Sequence, residues 1–496
     1  MRIACGLLLL GLMPVFPLAA QFSGRVTGSV VDSSGAAVPA AEVELYLAGG
    51  ARPLVTTKTS TDGSYNFIAV RPAYYDLTVE APGFVKTTLR GVSVDPARET
   101  SVPQVRLQLP AVTQTVEVSA AVQGVDTASA EVADTVSMEQ IKNLPILDRD
   151  VLSILQTQPG VVSNGNSYTV INGLRTSYSD MTLDGINIQD NYIRDNALDF
   201  TPNKLRIGQV RQMTLVTSNG NAASSGGATE AAFFTPSGTN ENHGELFWYN
   251  RNVAFSANDW FNNQAGIGQP FLNQNQFGGL IGGPIKKDKL FFYASYEAIR
   301  AHQQTPQDNT ILTASARSGI FSYNSGGVAH QVNLLTLRGI SIDPAIQTLL
   351  AQVPTPDKIN NADVGDGRNT GGYRFNQRAN ELNDNVTGKI DYNLSPRHAI
   401  SGSYLWNRDN SDRPDAENDY SLAPKVTNPT HANLVAVSWR WTPTARLTNE
   451  VRGGFNLTYA YFLTSQQFGA YYLTGTVFSD PVNEFQPQGR NTNTYN

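Results

Sequence analysis

From Gly244 onward, apolar and polar residues alternate along segments of ten residues or more. Val386, Gly388, Ile390, Tyr392 and Leu394 share one face, while Asn385, Thr387, Lys389, Asp391 and Asn393 share the other. Between Arg446 and Phe462 the odd positions carry Leu447, Val451, Phe455, Leu457, Tyr459 and Tyr461, and the even ones Thr448, Glu450, Arg452, Asn456 and Thr458. Leu290, Phe292, Ala294, Tyr296 and Ala298 make a third such face. Seven strands are predicted, at 244–255, 275–285, 289–300, 385–394, 398–409, 432–441 and 446–462. A soluble sandwich also alternates, so the connections decide. Those at 286–288, 395–397 and 442–445 are short, and those at 256–274, 301–384 and 410–431 are long. Short turns on one side and long loops on the other are what a transmembrane β-barrel requires.

No segment holds about 18 consecutive apolar residues, so no transmembrane helix is expected. A chain without one enters lipid only as a closed barrel, because every backbone group there needs a partner. The N-terminus predicts export. Arg2, the apolar run Ile3–Met13 and the small-residue approach Pro14–Ala20 read as a signal peptide over residues 1–20. Cys5, the single cysteine, falls inside it, so the mature chain would hold neither disulfides nor cysteine–zinc sites. With 36 Lys+Arg against 42 Asp+Glu, nucleic acid is not an expected partner. His243, His302, His330, His398 and His431 fit no ligand spacing, and no G-x-S-x-G elbow occurs. The stretch from Asn361 to Asp366 departs from a calcium loop and reads as a solvated turn. No catalytic residue, metal ligand or cofactor is assigned, and the chain is not expected to be an enzyme.

Residues 22–110 predict a β-sandwich. GRVTGSVVDSSGAAVPAAEVELYL turns through Asp32–Gly35, STDGSYNFIAV through Asp62-Gly63, and YYDLTVEAPGFVKTTLRGVSV through Pro82-Gly83. The set V-x-D-x-x-G-x-x-x-P-x-A-x-V, T-D-G-x-Y-x-F and L-x-V-x-A-x-G-F resembles the carboxypeptidase regulatory-like domain. The resemblance implies a non-catalytic scaffold.

Residues 125–236 predict a small α+β unit. Ser137 and Gln140 fit a capping box, for a helix that stops before Pro145. A second helix beginning near Asp148 or Asp150 places Val151, Ile154 and Leu155 on one face and ends at Pro159-Gly160. YTVINGLRTSYSDMTLDGINIQDN then reads as two β-prone pieces, Tyr168–Leu174 and Met181–Ile188, flanking a turn at Arg175–Asp180. Asp184-Gly185 is a hairpin signal. The pattern ING-x-R…TLDG, after LPILDRDVLSILQTQPGVV, resembles the plug domain of TonB-dependent outer-membrane receptors, with Asn172, Gly173, Arg175, Leu183, Asp184 and Gly185 as its signature. The family's Val/Ile-rich strand at the plug exit reads Ala231-Ala232-Phe233-Phe234 here. NQFGGLIGGPIKKDKLFFYASYEAIR resembles the early barrel of the Oar-like branch of these receptors.

In the linker, residues 111–124, the run Gln114, Thr115, Val116, Glu117, Val118, Ser119 and Ala120 resembles the TonB box, which adds as a strand to the energising protein's sheet. The same run also reads as a last sandwich strand or a connector. The fold expected is thus mainly β: an N-terminal sandwich, a small α+β plug, and residues 244–496 as the first part of a transmembrane antiparallel barrel. Plugged barrels have about 22 strands, and an eight-stranded barrel is filled by its own side chains. With seven or eight strands and a polar tail QGRNTNTYN, the chain is expected to be incomplete within its barrel. The resemblance implies a receptor in the Gram-negative outer membrane that binds an extracellular ligand of unknown identity and imports it. Its sandwich and box would face the periplasm, with a TonB-type energising protein and outer-membrane lipid as partners. The alternative is a surface adhesion or cell-contact protein on the same architecture, using the long connection 301–384.

Overall fold

The computed structural model describes residues 24–95, 99–109, 116–119, 132–143, 149–163, 169–190, 201–218, 228–416, 420–444, 447–464, 470–473, 476–479 and 488–495. The predicted signal peptide therefore lies outside the described residues.

The N-terminal unit has two sheets. Its strands are β1 (Gly24–Val31), β2 (Glu42–Leu47), β3 (Pro53–Lys58), β4 (Ser64–Val70), β5 (Ala73–Glu80), β6 (Thr87–Val94), β7 (Glu99–Ser101), β8 (Val105–Arg106) and β9 (Val116–Ser119). One sheet runs β4-β1-β7 with β8 also on β1, and the other runs β3-β2-β5-β6-β9. Alternate residues of both, among them Val26, Val43, Leu45, Leu77 and Val79, are wholly buried in one core. The predicted turns form as their chemistry dictates. Asp32 accepts from the amides of Ser34 and Ala36 at 2.9 Å each, and Gly63 takes a φ of +76°. A Cβ at Gly28 would meet the Tyr65 hydroxyl and ring, which would have to shift to admit it.

The inner unit holds a five-stranded sheet ordered β10-β15-β16-β13-β14. These are β10 (Val132–Ser137), β13 (Ser179–Leu183), β14 (Ile186–Asn187), β15 (Gln212–Ser218) and β16 (Thr229–Phe234), with β11 (Val161–Val162) and β12 (Val170–Ile171) as a separate pair. The capping box forms around helix α1 (Met138–Asn143): Gln140 Oε1 accepts from the Ser137 amide at 2.8 Å, and Ser137 Oγ from the Gln140 amide at 3.3 Å. Asp150 caps the second helix, Val151–Thr157, which is 3₁₀ and buries Val151, Ile154 and Leu155 as expected.

The hairpin differs from expectation. The piece around Val170–Ile171 pairs backward with Val161–Val162, not with Met181–Ile188. Positive φ at Asn172 and Gly173 turns the chain away after two residues. The hairpin is instead Ser179–Asn187 around Asp184-Gly185, whose φ values of +49° and +84° are those of a type I′ turn. The other edge of β13 takes β16 in parallel. That makes β16 central, which accounts for its alanines: Ala231 is 0 % and Ala232 5 % exposed, packed on opposite faces.

The third unit is one antiparallel sheet in which all seven predicted strands appear. Its members are β17 (His243–Asn252), β18 (Leu272–Lys286), β19 (Leu290–Leu312), β23 (Glu381–Ser395), β24 (His398–Asp412), β25 (Val426–Thr444), β26 (Leu447–Thr464) and β29 (Gln488–Tyr495), paired in that order, while β27 (Ala470–Leu473) and β28 (Thr476–Ser479) pair with each other. Of the seven or eight strands expected, the eighth is present, and one expectation falls. The polar tail is a strand, β29, paired with β26. The connection 301–384 is not a plain loop, since β19 runs on to Leu312 and pairs there with β22 (Thr370–Arg378). That extension, HQQTPQDNT, is polar on both faces, so alternation could not mark it. Between them stand the hairpin β20 (Ile320–Ser325) and β21 (Val328–Asn333) and the helices Leu334–Arg338 and Pro344–Gln352. The turn at Asn361–Asp366 is held by Asp366, which accepts from the amides of Arg368, Asn369 and Thr370.

The faces of this sheet are inverted relative to a soluble protein. Asn383, Asn385, Thr387, Asp391, Asn456 and Thr458 are at most 1 % exposed. Ile390, Leu394, Tyr404, Val437, Trp439, Val451 and Leu447 are 43 % to 56 % exposed. Apolar residues outside and polar ones inside match a wall with lipid on its outer side. Trp439, Trp441 and Tyr392 stand near the short turns, where an aromatic girdle belongs.

Candidate functional site: the inner unit against the barrel wall

The inner unit packs on the polar face of the wall. Its core takes in Leu405, Leu434 and Ala436 from β24 and β25. Around that apolar contact the link is hydrogen-bonded and ionic. Lys204 Nζ lies 2.5 Å from Asp409 Oδ2, Arg206 Nη2 3.3 Å from Glu381 Oε1, and Arg149 Nε 3.7 Å from Glu297 Oε1. Gln209 donates to Thr387 Oγ1 at 3.0 Å and to Asn407 Oδ1 at 3.1 Å, and Asn456 donates to Asn203 at 2.9 Å. The Arg149 guanidinium also stacks 4.8 Å from the Phe247 ring and 4.6 Å from Tyr249. Burial disfavours the charged form of Lys204, but Asp409 and Glu381 outweigh it, so its pKa stands above the ordinary lysine value. The same balance holds Arg206 up, through Asp150 and Glu381.

The signature residues do not form one site. Leu183, Asp184 and Gly185 are the hairpin that meets the wall. Asp184 accepts from the Thr235 amide at 3.1 Å and from Ser403 Oγ at 2.7 Å, and lies 3.8 Å from Lys389. Its carbonyl accepts from Arg452 Nη1 at 2.8 Å. The wall makes room for the hairpin at Gly454, where a Cβ would meet the Val435 carbonyl and lie 2.9 Å from Ile186. Asn172 and Gly173 are exposed on a turn, with Asn172 Nδ2 donating to the Thr217 carbonyl at 2.9 Å, and Arg175 is exposed beside them.

Of the box candidate, Val116, Glu117, Val118 and Ser119 form β9, parallel to Thr87–Arg90 at the edge of the sandwich. That is the sandwich-strand alternative for this segment. Gln114, Thr115 and Ala120 lie outside the described residues. Among the described residues no group of His, Cys, Asp and Glu could hold a metal ion.

The sequence reading missed Lys204, Arg206, Gln209 and Arg149. Their wall partners were legible as inward-facing polar positions, but nothing local says which residue meets which. It also missed that the sandwich is seated at the short-turn end of the wall. Phe291 of β19 is buried in the sandwich core, Arg71 pairs with Asp391 at 3.1 Å, and Arg211 donates to the Pro72 carbonyl at 2.6 Å.

An antiparallel wall with this inverted polarity around a folded inner unit defines a class, the outer-membrane β-barrel proteins. The family described as "Outer membrane beta barrel domain" matches residues 234–495, and the carboxypeptidase regulatory-like domain matches residues 25–109. The chain belongs to that outer-membrane barrel family. It is 27 % identical over 290 residues to the TonB-dependent transporter Oar of Myxococcus xanthus, a match covering 55 % of this chain and 26 % of that protein. The chain thus spans about a quarter of that relative. Among solved structures, the ferric enterobactin receptor of Pseudomonas aeruginosa is similar at 14 % identity and a TM-score of 0.40, covering 66 % of this chain and 41 % of that one. The outer membrane transporter YddB of Escherichia coli is similar at 11 % identity and a TM-score of 0.43, covering 70 % and 42 %.

Proposed function

We propose that the protein is a gated receptor that binds a ligand on the long-loop side of the outer membrane and imports it. Residues 1–20 are the export signal, 22–110 the periplasmic sandwich, 111–124 the linker with the box, 125–236 the plug, and 244–496 barrel wall. The observation that carries this reading is the inner unit's attachment: it lies on the polar face of a lipid-facing wall, held mostly by ion pairs and hydrogen bonds. Such contacts exchange for water at a small net cost each, about 1 kcal/mol between neutral groups and about 1.5–3 kcal/mol where one is charged, so a pulled plug can let go of the wall stepwise. Apolar packing of the same extent would not release in this way. The sandwich at the short-turn end supports a periplasmic place for it, since barrels of this kind turn tightly on the periplasmic side.

Pulling needs a handle. Gln114–Ala120 is the proposed handle, captured by a TonB-type protein as an added strand. The test is deletion of that segment in cells, with uptake screened across nutrient sources and outer-membrane level checked by fractionation. Lost uptake at normal membrane level is the result expected. Unchanged uptake with impaired cell–cell contact would favour an adhesion role on this architecture, and recovery of the protein in periplasm or medium would refute the receptor.

A further inference from the structure

At the short-turn end a cavity of about 90 Å³ lies where sandwich, inner unit and wall meet. By volume it takes on the order of six waters, or a small polyatomic ion. Its lining is basic: Arg71 from the sandwich, Arg211 from the inner unit, and Lys389, Arg440 and Arg452 from the wall. Two carboxylates border it, Asp184 and Glu450, with Asp391 behind Arg71 as a third. Five cations against three carboxylates leave an excess of two positive charges around it.

The three carboxylates are already engaged. Asp184 is taken by Thr235, Ser403 and Lys389, Glu450 by Arg452 at 2.7 Å, and Asp391 by Arg71 and by Ser401 at 2.7 Å. Donors, by contrast, are left over. Among the described residues, Arg71 Nη2 and Thr235 Oγ1 are buried with no hydrogen-bond partner, and Thr235 is only 2 % exposed. Asp391 Oδ2 also lacks a donor, which a water beside it would supply. Arg211 makes no ion pair among the described residues; a backbone carbonyl and the Tyr74 ring, 5.2 Å away, are its partners. Burial pushes the Arg211 pKa below the usual arginine value, and neighbouring Arg71 pushes it the same way. A buried cation with so little compensation is costly unless an anion completes it. Guanidinium groups present forked donors that suit tetrahedral and planar oxyanions.

We propose that this cavity is a binding site for a small oxyanion of the phosphate class, held by Arg71, Arg211, Thr235 and Arg440, which ties sandwich, inner unit and wall together. The site lies at the opposite end of the wall from the long loops. Occupied, it would set how firmly the sandwich is seated.

The test is calorimetric titration of the full-length protein in detergent with inorganic phosphate, at ionic strength held constant with chloride. Saturable binding is expected, together with a phosphate-dependent rise in the thermal midpoint. Arg211→Gln should weaken it about tenfold, as expected for loss of a charge-assisted contact. Thr235→Val keeps shape and charge, so it folds if anything does; it should weaken phosphate about fivefold. Saturable phosphate binding that both variants leave unchanged would place the ion elsewhere and overturn the proposal. So would the absence of saturable binding, which would mean a cavity filled by water alone.

Discussion

The hairpin tip at Asp184 is where the inner unit can be loosened from the wall by a single atom. Asp184 Oδ2 accepts from Ser403 Oγ at 2.7 Å, and both side chains are largely buried. A hydrogen bond to a charged group in such surroundings is worth about 1.5–3 kcal/mol. Asp184→Asn keeps the left-handed backbone, because asparagine tolerates a φ of +49°, and it keeps an acceptor for the Thr235 amide. It removes the charge facing Ser403 and Lys389. Ser403→Ala removes the bond outright from the wall side with little change of shape. In Asp184→Asn the Nδ2 that replaces Oδ2 can still donate to Ser403 Oγ, so the cycle reads the charge's share of the contact. The double-mutant cycle therefore isolates one contact between inner unit and wall. Urea unfolding of the full-length protein in detergent should give each single variant a loss of about 2 kcal/mol. The double variant should lose about the same, so that the coupling is about 1.5 kcal/mol or more. Asp184→Ala should cost more than Asp184→Asn, since it adds about 1–2 kcal/mol of left-handed strain. Additive losses, with coupling below about 0.5 kcal/mol, would mean that the hairpin is not docked on the wall as described.

Gly454→Val should fail to give a stably folded protein, because its side chain would strike the Val435 carbonyl and Ile186; Gly388→Ala, with nothing within 4 Å, should leave the thermal midpoint unchanged. Val437→Arg tests the outer face: it would change stability by less than about 0.5 kcal/mol on a water-exposed surface, but should cost about 2–4 kcal/mol near the middle of a bilayer. Residues 22–110, expressed alone, should unfold cooperatively without metal or disulfide, and a broad non-cooperative melt would refute that boundary. In that fragment, hydrogen bonds from Ser60 and Ser64 hold the Asp62 pKa down at about 2, from an ordinary value of 3.8. A lowered carboxylate pKa means that the folded state prefers the ionised form, so its contribution is whole above about pH 4 and is lost as pH falls toward 2. The thermal midpoint should drop across that window, and Asp62→Asn should flatten the drop.

Much of this molecule is written locally. Period-two alternation marks the wall strands because a residue's face depends only on its parity, and lipid enforces apolar choices on one of them. Asp184-Gly185, Asp62-Gly63 and the Ser137–Gln140 box could be read directly, since each is a contact within four residues. Where lipid stops acting, the signal stops too. The upper part of β19 and the strand β29 are polar on both faces, and only their pairing partners make them strands.

The tertiary structure alone decided the pairings across long separations. Asn203 meets Asn456 across 253 positions, and Lys204 meets Asp409 across 205. Alternation shows that Asp409 points inward but not what waits there, because many lysines and arginines would satisfy the same pattern. The two-residue strand Val170–Ile171 turned back to Val161–Val162 for a similar reason: the edge of β13 was already claimed by β16, about 50 residues later in the chain. The seating of Arg71 against Asp391 is the extreme case. Nothing local in the sandwich sequence names a partner for Arg71, and the charge finds its counterpart only where the sandwich meets the wall, the same contact that puts Phe291 into the sandwich core.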